Sequence, residues 1–230
     1  MIPLVLLPGM MCDARLFGPQ IDAFAGERIV QVLPIGGAAT MTDLARQALE
    51  LAPKSFALAG LSMGGIVAME MVRLAPERVA QLALLDTNPL AEDEARRALR
   101  GPQIDKVLAG GLAEVIRDEM KPNYLTDSPD KARILDLCMD MALDLGSEVF
   151  ERQSLALRDR IDQTETLRSY RGRSLVLCGA GDALCPVARH ELMHKLLQSS
   201  RLEIIEGAAH MPTLEKPEET TAALRRWLEQ

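Results

Sequence analysis

Apolar residues along this chain fall into two kinds of segment that take turns. Short runs at Ile2–Leu7, Arg28–Leu33, from Phe56, at Gln81–Leu85, Ser174–Cys178 and Leu202–Ile205 have the length and composition of strands. The runs from Phe56 and at Gln81–Leu85 predict strands buried on both faces. Between the runs lie segments with apolar residues at helical spacing. One covers Ala14–Phe24. Another opens at Thr40-x-x-Asp43, a capping-box-like start, and carries Leu44, Ala48, Leu51 and Ala52 on one side. A third places Ile66, Met69 and Val72 on one face and stops at Pro76. Further helices are predicted over Val187–Leu197 and Pro217–Leu228. Strand and helix in alternation, with short connections, imply an α/β fold: a mostly parallel sheet of about six strands covered by helices on both faces.

The middle of the chain breaks this rhythm. From Leu90 to Leu167 strand-like runs vanish, and helical patterns are interrupted by Gly101-Pro102, Gly110-Gly111, Pro122 and Gly146. Ser128-Pro129 predicts a helix start, with serine as N-cap and proline at the first helical position. The expected organisation is a core formed by 1–89 and 168–230 with a helical cap inserted over 90–167.

Composition narrows the partners. The 230 residues are 48 % hydrophobic and 26 % charged, ordinary for a soluble domain with a sizeable core. Acidic residues outnumber basic ones 33 to 26, a net charge of -7, which argues against nucleic acid or an anionic membrane surface as partner. The cluster Arg96, Arg97 and Arg100 lies among Glu92, Asp93 and Glu94 and is expected on a solvated helix face. The N-terminus has no positive charge ahead of its apolar segment, so no signal peptide is expected, and Ser55–Met69 is too short and glycine-rich to span a bilayer. Cys12, Cys138, Cys178 and Cys185 are scattered without metal-site spacing, which suits reduced thiols and a cytoplasmic location.

Candidate chemistry sits where predicted strands end, the side on which parallel sheets bind ligands. Gly60-x-Ser62-x-Gly64 joins the strand from Phe56 to a helix, the context of a nucleophile elbow, in which serine occupies a sharp, strained turn. Serine is a weak nucleophile until a base takes its proton and a carboxylate orients that base. His210, in Gly207-x-x-His after the last strand, is the candidate base. Asp182, in Gly179-Ala-Gly181-Asp182, is the favoured carboxylate because its loop has the better spacing to His210; Asp86, at the end of Gln81–Leu85, is its competitor. The oxyanion hole needs two backbone N–H groups, assigned to Met63 and to Met10, with Met11 as the fallback. Met10, Met11, Met63 and Met211 either form a pliable apolar pocket wall or fill the core.

A second motif competes. His190-Glu191-Leu192-Met193-His194 matches H-E-x-x-H, which on a helix places two zinc ligands on one face, with Glu215 downstream as a third. Accepting it as a metallopeptidase site leaves Ser62, Asp182 and His210 unexplained, so the match is read as coincidence and no metal is expected.

Taken together, Leu-Pro8-Gly9-Met, Gly60-Leu-Ser62-Met-Gly64-Gly65, Gly179-Ala-Gly-Asp182-x-x-Cys-Pro186 and Gly207-Ala-Ala-His210-Met-Pro212 resemble the α/β-hydrolase superfamily, in the branch with a helical cap. Ala156-Leu-Arg-Asp-Arg160-Ile-Asp162 is similar to the Arg-x-Asp segment often found where the cap returns to the core. Two departures are visible: the chain begins at what resembles the family's third strand, and Pro8-Gly9 stands where many members have His-Gly. The resemblance implies a serine hydrolase that cleaves a small or medium ester or thioester through an acyl-enzyme on Ser62, without cofactor. Members with lyase or carbon–carbon bond hydrolase chemistry use the same triad, and a non-catalytic binding module on this fold is a further alternative. With four Phe, two Tyr and one Trp in the chain, the pocket is expected to be aliphatic.

Overall fold

The structure, a computed structural model, describes residues 1–229. Its strands are β1 (Leu4–Leu7), β2 (Val30–Val32), β3 (Phe56–Leu61), β4 (Val79–Leu85), β5 (Arg173–Gly179) and β6 (Ser200–Ile205). They form one six-stranded sheet in the order β2-β1-β3-β4-β5-β6, with every neighbouring pair parallel.

Side chains alternate across a strand, and here the alternation divides the interior in two. Val5, Leu7, Leu58 and Leu84 face one core, while Leu4, Leu6, Ala57, Ala59 and Leu85 face the other. Helices α2 (Met41–Leu51), α3 (Met63–Leu74) and α9 (Val187–Leu196) cover the first. Helices α1 (Gly18–Phe24) and α11 (Pro217–Glu229) pack on each other over the second. Strands apolar on both faces are therefore what this double covering requires. The edge strand β2 is only half-buried, and at the other edge Glu203 of β6 pairs with Arg226, charge that blunts an open edge.

Capping follows the sequence closely in one place. The Thr40 hydroxyl accepts the Asp43 N–H at 3.1 Å and donates to the Asp43 carboxylate at 2.8 Å, opening α2. Elsewhere the boundaries differ. The helix expected over Ala14–Phe24 divides at Gly18-Pro19 into a 3-10 turn (Ala14–Phe17) and α1. The helix expected from Ser128-Pro129 begins later, because Ser128 instead closes a turn by accepting the Lys131 N–H at 3.2 Å, and Asp130 takes the N-cap position.

Between β4 and β5 the chain is entirely helical or irregular: α4 (Glu94–Lys106), a π-helical turn (Val107–Gly111), α5 (Leu112–Val115), a second π-helical turn (Ile116–Met120), α6 (Lys131–Leu145), α7 (Ser147–Arg158) and α8 (Thr164–Ser169). A short α10 (Pro212–Glu215) precedes α11. One buried polar cluster ties this segment to the core. Glu70 of α3, fully buried, accepts from Thr42 Oγ1 at 2.6 Å, Arg73 Nη2 at 2.6 Å and Gln163 Nε2 at 2.6 Å. Burial alone would raise the Glu70 pKa, but these donors and the Arg73 charge outweigh it and hold the carboxyl below its ordinary range.

No helix among the described residues is long and apolar enough to cross a membrane. The four cysteines are free and buried.

Candidate active site

The sheet order reverses direction between β1 and β3, since β2 lies on one side of β1 and all later strands on the other. The crevice outside the carboxyl ends of strands at such a switch point is the favoured ligand site of open α/β sheets. The loops after β1 and β3 meet there, and both carry candidate residues.

Ser62 occupies the turn from β3 into α3 at φ 55°, ψ -117°, a conformation costly for any side chain. The surroundings enforce it. The Ser62 N–H donates to Leu85 C=O at 2.9 Å, and the Thr87 hydroxyl donates to Ser62 C=O at 2.7 Å. A Cβ on Gly60 would lie 2.3 Å from the Gly64 carbonyl oxygen, and one on Gly64 would lie 2.1 Å from that of Leu7. Only glycine allows the strand, the turn and the helix to approach this closely. The Ser62 side chain makes no cap hydrogen bond to its own helix, which leaves its hydroxyl for another partner.

That partner is His210. Ser62 Oγ lies 2.9 Å from His210 Nε2, and His210 Nδ1 lies 2.8 Å from Asp182 Oδ2. The carboxylate accepts Nδ1–H, so Nε2 is left as the acceptor of the Ser62 proton. The other oxygen, Asp182 Oδ1, accepts the N–H groups of Leu184 at 2.8 Å and Cys185 at 3.0 Å. Burial works to raise the Asp182 pKa, but the His210 hydrogen bond and charge and the two backbone donors win and lower it.

Asp86, the competitor, has a different place. It sits at φ 43° with no exposed surface, and its Oδ1 accepts the Gly179 N–H at 2.9 Å. Burial first, and then the Asp182 charge, push its pKa well above the ordinary value. The two carboxyls are thus pushed in opposite directions, and Asp182 is the one that reaches His210.

Of the two N–H groups considered in the loop after β1, that of Met11 is spent: it donates to Gln153 Oε1 at 2.9 Å. The N–H groups of Met10 and Met63 donate to no protein acceptor among the described residues. Met11 sits at φ 55° in a turn closed by the Cys12 N–H on Gly9 C=O at 3.2 Å. The methionines divide between the expected uses. Met10 and Met211 line the cavity above Ser62, together with Met120, whereas Met11 and Met63 are core filling.

The H-E-x-x-H match is structural. His190 is buried, with Nε2 accepting the Thr87 N–H at 3.1 Å and Nδ1 facing Pro186 C=O at 3.3 Å. Burial pushes its pKa down to about 4. His194 Nδ1 bonds Ser200 Oγ at 2.8 Å, and Glu215 lies at the His210 loop. The ring nitrogens of His190 are thus already engaged, and its role is to hold the turn after β4.

Three further residues shape the site; the sequence carried no signal for Gln153 or Tyr124 and pointed to Glu215 only as a third zinc ligand. Glu215 Oε2 accepts the N–H groups on either side of His210, from Ala209 at 2.9 Å and Met211 at 3.2 Å. Gln153 of α7 bridges two strand-end loops, accepting from Met11 and donating to Ile35 C=O at 3.0 Å. Tyr124 C=O accepts the His210 N–H at 2.9 Å. The Gln153 and Tyr124 contacts join distant stretches of chain and are invisible to local pattern.

The cavity above Ser62 holds about 410 Å³, within the range of small-molecule sites. Its floor is Gly9, Met10, Ser62 and His210; its roof comes from the helices between β4 and β5, including Leu99, Met120 and Leu157. Tyr124 is the one aromatic ring on its wall besides the His210 imidazole. Arg100, expected on a solvated face, also lines it, as do Arg96 and Arg160. The reason is that α4 lies across the cavity, so a helix with few apolar residues still turns one side inward.

A model of the Alpha/beta hydrolase family matches residues 4–224. The chain belongs to this family. It is 25 % identical over 174 residues to a pimeloyl-[acyl-carrier protein] methyl ester esterase of Neisseria meningitidis serogroup B, an alignment covering 74 % of this chain and 67 % of that protein. Among solved structures, a thermophilic esterase from Thermogutta terrifontis superposes with a TM-score of 0.90 at 28 % identity, over 100 % of this chain and 90 % of that one. The enol-lactonase of Burkholderia xenovorans LB400 also reaches 0.90, at 18 % identity over 100 % and 92 %, and shares the fold. This hydrolase fold therefore accounts for the sheet order, the Ser62 turn and the loop arrangement together.

Proposed function

We propose that the protein is a serine hydrolase that cleaves a carboxylic ester or thioester of small or medium size. The observation that carries this reading is the continuous relay from Ser62 Oγ through His210 to Asp182, at 2.9 and 2.8 Å. It is supported by the esterases among the relatives.

Ser62 Oγ attacks the substrate carbonyl carbon while its proton passes to His210 Nε2. Asp182 keeps His210 in the accepting tautomer and stabilises the imidazolium as it forms. Negative charge gathering on the carbonyl oxygen is met by the N–H groups of Met10 and Met63, already unpaired, so little reorganisation is needed at the moment of reaction. The tetrahedral species collapses, the alcohol or thiol leaves with the proton from His210, and the acyl group stays on Ser62. Water, deprotonated by His210, then attacks that acyl carbon and releases the acid and free Ser62. The segment 90–167 acts as the cap that chooses the substrate, because it supplies the roof of the cavity.

A fluorophosphonate probe tests the reading. It should label the folded protein at Ser62, located by mass spectrometry, and the Ser62→Ala variant should neither label nor hydrolyse a panel of esters and thioesters. Labelling elsewhere, or hydrolysis that survives in Ser62→Ala, would refute it.

A further inference from the structure

The cavity carries charge that its own walls do not balance. Glu92, with no side-chain exposure, lies between two guanidinium groups: Arg100 Nη2 at 3.0 Å and Arg160 Nη2 at 3.2 Å. The side chains of Arg100 and Arg160 are 16 % and 5 % exposed. Two cations share one carboxylate, so a net positive charge is held almost out of water, where an unmatched charge is costly.

The geometry shows where that charge is unspent. Arg160 Nε donates to Leu90 C=O at 2.9 Å, but Glu92 Oε1, though within ion-pair range of Arg160, has no aligned hydrogen bond. Arg100 Nη1 meets only the Met10 thioether sulfur, at 3.7 Å. Thioether sulfur is a weak acceptor for a guanidinium. Met10 lines the cavity beside Ser62, so the free edge of Arg100 borders the floor of the proposed site. The other acid on the wall, Glu119, is occupied by Gln103 Nε2 at 2.9 Å and Lys106 Nζ at 3.3 Å and does not neutralise the pair. Arg96 adds a third cation on the wall, its Nη2 donating to Leu184 C=O at 3.2 Å.

We propose that Arg100, with Arg160 behind it, forms an anion subsite, and that the substrate is an ester bearing a second, ionised carboxylate, such as the monoester of a dicarboxylic acid. This rests on the ester-hydrolase reading for its chemistry, though the anion subsite itself does not depend on it. A guanidinium matches a carboxylate in two parallel N–H···O bonds, which anchors one end of the substrate while the ester carbonyl lies over Ser62. Burial, only partly offset by Glu92 and reinforced by the Arg100 charge, depresses the Arg160 pKa, as expected of a cation short of anionic neighbours.

Two measurements on the full chain test this. The first compares kcat/KM for monomethyl adipate, dimethyl adipate and methyl hexanoate. The anionic ester should be preferred by about tenfold or more, the size of one charged hydrogen bond. Arg100→Gln should collapse the preference to near unity, and Arg100→Lys, which keeps the charge, should restore part of it. The second measures binding of adipate to Ser62→Ala by calorimetry at constant ionic strength, with hexanoate and chloride as controls. Adipate should bind and Arg100→Gln should abolish binding.

Equal rates on anionic and neutral esters, or a preference unchanged by Arg100→Gln, would overturn the inference while leaving the ester-hydrolase reading intact. Adipate binding that needs Arg100, with no hydrolysis of any ester, would refute the hydrolase reading and support the subsite. The absence of both binding and preference would refute the subsite.

Discussion

Replacing Asp182 by asparagine gives the sharpest test of how the relay works. The change is nearly isosteric, yet the local hydrogen bonds dictate which way the new amide must point. Asp182 Oδ1 is held by two N–H donors, from Leu184 at 2.8 Å and Cys185 at 3.0 Å, so the amide oxygen must stay there. Its NH2 group is then directed at His210 Nδ1, 2.8 Å away in the native protein. Two donors cannot face each other, so His210 gives up its Nδ1 proton and carries it on Nε2, pointing at Ser62. The base becomes a donor and cannot take the serine proton. A wrong tautomer of this kind costs about 10⁴-fold in kcat, equivalent to about 5.4 kcal/mol of barrier. The assay is kcat on a short ester at neutral pH, alongside the rate of fluorophosphonate labelling, with thermal unfolding as the check on folding. Asp86→Asn is the control. Asp86 makes no contact with His210, its pKa is pushed well up by burial, and an amide oxygen still accepts the Gly179 N–H, so activity should stay within about tenfold, the worth of a neutral hydrogen bond. A loss below tenfold in Asp182→Asn, or a larger loss in Asp86→Asn, would refute this assignment.

Two further outcomes concern the scaffold. Glu70 has its pKa lowered on folding, so it contributes stability fully above its unfolded value of about 4.3, and that contribution is lost as pH falls through the folded value. Glu70→Gln should therefore lower stability at pH 7 by about 3 kcal/mol, the low end for breaking a buried pair, because Arg73 is half-exposed and can rehydrate. Urea unfolding from pH 7 to pH 3 should show the gap to wild type closing on the acid side; a gap that does not depend on pH would refute it. Gln153→Met removes both polar ends of the bridge at similar volume and strands the Met11 N–H and Ile35 C=O, costing about 2–4 kcal/mol at one to two per orphaned group. It should also lower kcat more than it raises KM, and stability within 0.5 kcal/mol of wild type, roughly the scatter of a neutral surface change, would refute the bridge.

What the sequence made legible was whatever depends on local period or on strand ends. Period-two side chains such as Leu58 on one side and Ala57 and Ala59 on the other belong to two covered faces, as the all-apolar run from Phe56 predicts. Ser62, Asp182 and His210 stood out because each follows a strand, and the loops after β3, β5 and β6 bring them within hydrogen-bond reach. Ser128 misled because serine before proline serves a turn as well as a helix start. Arg100 misled for a different reason: its neighbours in sequence are charged, and nothing local reveals that α4 crosses a cavity. Gln153 was silent because a single polar side chain that reaches across the fold leaves no periodic trace, and Glu215 drew notice only as a zinc ligand, not as the brace of the His210 loop. His190, the first histidine of the H-E-x-x-H match, is buried and accepts the Thr87 N–H, which gives a histidine there a structural use.

The helices between β4 and β5 do more than roof the cavity; through Gln153, Tyr124 and Thr126 they are also fastened to its floor. Gln153 holds the loop of Met10, Tyr124 holds the His210 backbone, and Thr126 shares the Glu215 carboxylate that fixes the same loop. Such a segment is not an exchangeable module. A lineage that altered its substrate by trading this stretch for another would have to inherit those three anchoring positions along with it, or rebuild the loops that carry Met11 and His210. Residues facing the cavity without anchoring anything, Leu99 of α4 among them, are free of that constraint. Variation in substrate among descendants of this chain should therefore accumulate along α4, while α7 and the Tyr124 turn change slowly.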